Sequence, residues 1–256
     1  MKFFRNIRQK LLKESPLSRY TVYAIGEIIL VVFGILIALG INNWNQSRID
    51  FAKEEGYLSG LQIDLKRQIA FFDFYEDFCD EIILLGESIL TDFNTFGRLT
   101  EIDSLNSKLT RLMYTQTYPE ISTTFNELNS TGQLNLIRKK TARTQIVGYY
   151  QKADFHRNSI NGNMEEVIYP EIFPIIKSMV TIIPENFGMD GINLSTNKNL
   201  KSSLEERLND ESKSFDLINA ISLRIIIAKV DRSILNEAKN DAETLLSVID
   251  EELKSH

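Results

Sequence analysis

Between Val22 and Ile41 the chain reads VYAIGEIILVVFGILIALGI, an apolar run whose only acidic or basic residue is Glu27. As a helix it would be about 30 Å long, the thickness of a bilayer's hydrocarbon core. The run predicts a single membrane anchor, a transmembrane helix over about residues 20–44. Tyr20, Tyr23 and Trp44 flank it as interfacial aromatic residues do. A cleavable signal peptide is the alternative, because Ala38-Leu39-Gly40 carries small residues at the spacing a signal peptidase uses. Cleavage there would need an unusually long leader, whereas the run has the length of a span.

The flanks orient it. Residues 1–20 carry Lys2, Arg5, Arg8, Lys10, Lys13 and Arg19 against Glu14, a net of +5. Residues 45–256 carry 23 basic and 33 acidic groups, a net of −10. Basic flanks stay on the cytoplasmic side, so residues 1–19 are expected inside and residues 45–256 outside. An acidic main domain also argues against a nucleic-acid partner. Residues 2–14 place Phe3, Phe4, Ile7 and Leu11 on one stripe with the basic residues mostly off it, which suits the headgroup region. Pro16 fits the first turn of the next helix and Ser15 can cap it.

Inside the span, helical phase puts Glu27, Gly34 and Ala38 within roughly 40° of one another. Gly34-x-x-x-Ala38 is a small-xxx-small pair that lets two helices approach, and Glu27 can hydrogen-bond across such a seam. The plainer alternatives are a glutamate that snorkels to the interface and a tether without association.

The stretch YAIGEIILVVFGILIALGINNWN resembles the N-terminal signature of an uncharacterised family of bacterial single-pass membrane proteins. FNELNSTGQLNLIRKK, followed by Tyr149-Tyr150, is similar to that family's middle segment. The resemblance implies a bacterial inner membrane and a periplasmic main domain. It carries no activity.

The remaining chain reads as all-α. With 12 Gly and 5 Pro, a many-turned β fold is disfavoured, and one cysteine, Cys79, excludes an internal disulfide. Leu58, Leu61, Leu65, Gln68, Phe72, Tyr75, Cys79, Ile82, Gly86, Ile89 and Phe93 alternate three and four apart, one seam of a long helix over about 52–93. A loosening near Asn42-Asn43 is expected where this helix meets the span. Shorter helices are expected over 102–114, 123–128, 134–139 and 141–168, with Gly132 ending one of them. Pro170, Pro174 and Pro184 are expected to break or bend the chain. Residues 184–199 form the longest predicted loop, and Val180–Ile183 the one strand-like run. A short helix over 201–209 precedes a long amphipathic one over 214–254, which should pair lengthwise with the 52–93 helix. The expectation is an extracytoplasmic antiparallel helical bundle with two long helices.

Chemical motifs are missing. There is no G-x-S-x-G, no Gly-rich phosphate loop and no H-E-x-x-H. His156 and His256 cannot build a three-histidine metal site, and Asp190–Lys201 lacks the ligand pattern of a calcium loop. Glu165-Glu166 and Glu205-Glu206 read as solvated pairs, Tyr149-Tyr150 as core, and His156 as a surface or half-buried residue. No catalytic residue, cofactor or metal is expected. The expected function is that of a membrane-anchored helical module for protein–protein interaction or scaffolding. Its partners would be the lipid bilayer and a second copy or another membrane protein. The alternatives are a periplasmic ligand-sensing domain acting through a partner protein and, third, an unrecognised enzyme using Asp or Glu.

Overall fold

A computed structural model of the chain describes residues 16–182 and 197–255. The basic stripe at 2–14, Ser15, His256 and most of the 184–199 loop, with its calcium-like stretch, lie outside the described residues. All regular structure among the described residues is helical, and no strand forms over 180–182. Two compact units are present, Met1–Gly56 and Tyr57–His256.

Helix α1, Pro16–Phe96, runs through both units. Pro16 is its first described residue. Gly97 ends it at φ +69°, donating its N–H to the Phe93 carbonyl at 2.8 Å. The loosening expected at Asn42-Asn43 does not occur. No proline interrupts the ladder there, and the Ser47 hydroxyl turns back to donate to the Asn43 carbonyl at 2.9 Å.

In the first unit, α1 exposes its apolar side chains on every side. Leu30 is 74% exposed and Ile37 62%, and no residue of the apolar window is buried. It is the one helix among the described residues that is long and apolar enough to cross a membrane.

In the second unit, the predicted α1 seam is buried from Leu58 to Ile89, with Phe93 half-buried. Helix α7, Glu211–Ser255, buries Leu217, Ile221, Ile225, Ala228, Leu235, Ala238, Ala242, Leu245 and Ile249. Ion pairs join Glu87 to Lys229 at 2.7 Å, Asp80 to Arg232 at 3.0 Å and Asp73 to Lys239 at 2.5 Å. Gln62 donates to Asp250 at 2.6 Å. Positions on α1 fall as positions on α7 rise, so these stretches run antiparallel. Exposed pairs of this kind add little stability, and the buried apolar faces carry the packing.

Between the two long helices lie α2 (Leu105–Leu112), α3 (Thr123–Ser130), α4 (Lys140–Gly162), a π segment (Asn163–Ile172), α5 (Phe173–Ser178) and α6 (Lys198–Leu208). The helix expected over 102–114 starts only at Leu105, after a single 3₁₀ turn at Leu99–Glu101, and a 3₁₀ turn at Gln133–Leu136 covers half of the helix expected over 134–139. Gly132, at φ +67°, marks the end of α3 as expected. Pro170 does not break the chain. It sits inside the π segment, and the chain continues directly into α5. A widened π turn shifts the ladder register, which is how a helix absorbs a residue lacking its N–H.

Candidate functional site

Glu27, Gly34 and Ala38 lie on the uninterrupted part of α1, so the helical phase that groups them holds. A Cβ built on Gly34 would meet nothing within 4 Å. The face is open in the single chain.

The polar site of the second unit is built around the segment that joins α2 to α3. Asn161, near the end of α4, clasps it: the Tyr118 N–H donates to Asn161 Oδ1 at 2.9 Å, and Asn161 Nδ2 donates to the Tyr118 carbonyl at 3.1 Å. From α1, Gln68 Nε2 donates to the Ile121 carbonyl at 2.6 Å. Asp64 Oδ2 accepts the Thr124 N–H at 2.9 Å, serving the start of α3 as a cap supplied by another helix. Gly60 makes this approach close: a Cβ there would stand 2.8 Å from Thr124 Oγ1.

Beside this segment opens a cleft of about 250 Å³, lined by Gln68, Tyr118, Glu120, Phe125, Tyr150, Asp154 and Arg157 among others. Its aromatic wall is the stacked pair Phe125–Tyr150, with centroids 4.2 Å apart and planes 7° from parallel. The Tyr118 ring packs against Phe71 and Phe72. Its hydroxyl is buried and finds no hydrogen-bond partner among the described residues. The Tyr150 hydroxyl makes no well-formed hydrogen bond either, although the Gln68 amide lies near enough to offset part of the upward pKa shift caused by burial. Burial also raises Tyr118, and the Arg157 charge opposes that rise in part.

At the rim, Glu120 Oε1 accepts from Ser122 Oγ at 2.7 Å and from Asn126 Nδ2 at 2.8 Å. These donors hold its carboxyl below its ordinary pKa. Arg157 is bound tightly to Asp154 and stands 3.6 Å from Glu120 Oε2, beyond hydrogen-bond range. Two carboxylates thus face one guanidinium.

A second polar cluster is wholly structural. Arg224 on α7 donates through Nε to the Leu112 carbonyl at 3.2 Å and through Nη2 to the Tyr114 carbonyl at 3.0 Å, satisfying the end of α2. Asp231, one helical stretch further on, accepts from Asn163 Nδ2 at 2.8 Å at the start of the π segment. Burial pushes Asp231 up to about 6, against the lowering effects of Asn163 and Arg224. Cys79, beside it on the seam, is pushed up to about 12 by burial and is a packing residue.

His156 is buried, contrary to its expected surface or half-buried place. It lies three residues after Ala153 and four before Ile160, on the same inward stripe of α4. Burial lowers its pKa, with Glu237 Oε2 at 3.9 Å opposing the shift. Glu165-Glu166 and Glu205-Glu206 are exposed, as expected of solvated pairs. No metal-ligating cluster exists among the described residues.

The linear pattern does not reveal the cleft. Two local signals point at it: Gln68 interrupts an otherwise apolar seam, and Tyr118 precedes a proline, which biases it to an extended conformation.

Residues 27–174 match a family of unknown function, DUF6090. The chain belongs to this family. Neither a curated protein nor a solved structure matches it. The DUF6090 match contains Glu27, Gly34 and Ala38 as well as the cleft residues from Gln68 to Arg157, while α6 and α7 lie beyond it.

Proposed function

We propose that this DUF6090 protein is a membrane-anchored helical module whose role is to hold a helical bundle at a bilayer surface for interaction with a second copy or another membrane protein. The observation that carries the reading is the apolar window of α1, in which no residue is buried. A core helix of a water-soluble protein would have covered these side chains; lipid is the medium that does so here. The bacterial inner membrane is the proposed location, with residues 1–19 in the cytoplasm, residues 20–44 as the span and residues 45–256 in the periplasm. The +5 and −10 flanks support this orientation. The open face Glu27–Gly34–Ala38 supports association within the membrane.

Three experiments test the reading. Fusion of a periplasm-dependent reporter to the C-terminus should give activity, and carbonate extraction should leave the full-length chain in the membrane pellet. Activity only from a cytoplasm-dependent reporter would overturn the orientation, and release by carbonate would overturn the anchor. Crosslinking in native membranes should capture a homodimer or a discrete membrane partner, and a strictly monomeric chain would overturn the interaction role.

A second reading, ligand sensing through a partner protein, is favoured by the cleft of about 250 Å³ beside the Phe125–Tyr150 stack.

A further inference from the structure

The structure assigns His156 the role of a proton-operated latch between α4 and α7, closed while the imidazole is neutral and released when it takes up a proton. The latch lies wholly within the second unit and stands whether or not α1 spans a bilayer.

Its parts come from two helices. His156, on the inward stripe of α4, is only 4% exposed. Beside it an ion-pair network ties α4 to α7: Lys152 Nζ stands 2.6 Å from Glu237 Oε1 and 2.6 Å from Asp241 Oδ2. The other Glu237 oxygen, Oε2, is 3.9 Å from His156 Nε2, beyond hydrogen-bond range. These are the charged groups that bear on the ring, Lys152 from its own helix and Glu237 and Asp241 from α7.

The balance among them sets the direction. Removing the ring from water disfavours the imidazolium, and the Lys152 charge adds to this. Glu237 and Asp241 favour the imidazolium, but both already share the Lys152 ammonium. The Glu237 side chain is also 56% exposed, so water screens its pull. Burial prevails and holds His156 below its ordinary pKa. Lys152 holds the Glu237 carboxyl below its own ordinary value, so Glu237 stays ionised while His156 titrates. Above about pH 6.5 the imidazole is neutral whether buried or exposed, and the closed contact has its full strength. As pH falls through that value, an exposed ring binds a proton more readily than the buried one, and the open arrangement of α4 against α7 gains population. Asp231, also on α7, acts in the opposite direction between its ordinary 3.8 and about 6, so release of the latch is read locally.

The test uses the full-length chain in a non-ionic detergent. His256→Gln leaves His156 as its one histidine, and NMR follows that ring from pH 8 to 5. A midpoint below about 6.5, the ordinary value, is expected. Hydrogen exchange, corrected for the intrinsic effect of pH, should quicken severalfold from pH 7.5 to pH 5 around His156 and Glu237, and more than in the rest of the unit. His156→Leu fills the site without a titrating ring and should abolish this local quickening while leaving Asp231 in place. A midpoint at or above 6.5, unchanged local exchange in the unaltered chain, or the same quickening in His156→Leu would each overturn the assignment. Should His156→Leu fail to fold, the midpoint and the exchange of the unaltered chain decide.

Discussion

The Ile225 side chain occupies the space that a Cβ on Gly86 would need. Built in place, that Cβ would stand 2.6 Å from Ile225 Cγ1 and 2.8 Å from Cδ1. Gly86 therefore lets α7 close onto α1 at a buried point of the seam, despite the conformational freedom a helical glycine forfeits on folding.

Gly86→Ala should destabilise the second unit by about 1–3 kcal/mol, overpacking outweighing the gain in helix propensity. Ile225→Val in the same chain should recover some of the loss. Urea unfolding followed by circular dichroism would show both, and a stabilised Gly86→Ala would contradict the packing.

Asp231 makes stability fall as pH rises. Its folded-state pKa, about 6, lies above its ordinary 3.8, so between these values the folded state binds more protons than the unfolded state. Stability is thus greatest below about pH 4 for this group, declines through pH 4–6 and is level above. The groups facing it, Arg224, Tyr75, Cys79 and Asn163, come from α7, α1 and the π segment. Asp231→Asn should flatten that decline while keeping an acceptor for Asn163. Thermal unfolding of both chains across pH 4–7 measures the difference, and parallel curves would refute it.

Arg224→Met should cost about 2–4 kcal/mol, because the Leu112 and Tyr114 carbonyls lose a buried charged donor. Hydrogen exchange should locate the loosening at the end of α2 and the following segment rather than at α6. A uniform effect across the unit would argue against the tether.

Asp64→Ala should cost about 1–2 kcal/mol by removing the cap on Thr124, the usual range for an N-cap. Chemical denaturation reads it directly. Asp64→Asn, which keeps an acceptor oxygen, should lose less.

Within the membrane, Gly34→Ile should lower the yield of crosslinked dimer by about tenfold, since a branched side chain would push apart helices meeting at Gly34 and Ala38. Leu36→Val, half a turn away, should leave the yield unchanged. Equal yields from both variants would mean that the span is only a tether.

The helical class and both long helices are legible because their apolar residues repeat every three to four positions, and burial from Leu58 to Ile89 and from Leu217 to Ile249 follows that repeat. The burial of His156 is hidden when it is weighed against Asp154 and Arg157, because its stripe partners are Ala153 and Ile160. Pro170 reads locally as a break because its missing N–H cannot join a regular α ladder, and a π turn accommodates it. Of the cleft, only the oddity of Gln68 and the Tyr118-Pro119 dipeptide show in the linear pattern.

By itself the sequence determined the apolar run of Val22–Ile41, the asymmetric charge on either side and the seams of the long helices. These are properties of neighbours along the chain, and periodicity and hydropathy report them directly. The tertiary structure decided which polar groups meet. Arg224 reaches Leu112 across 112 positions, Gln68 reaches Ile121 across 53, and Asn161 clasps Tyr118 across 43. Such meetings depend on the packing of separate helices and the burial it imposes, and no local pattern encodes them.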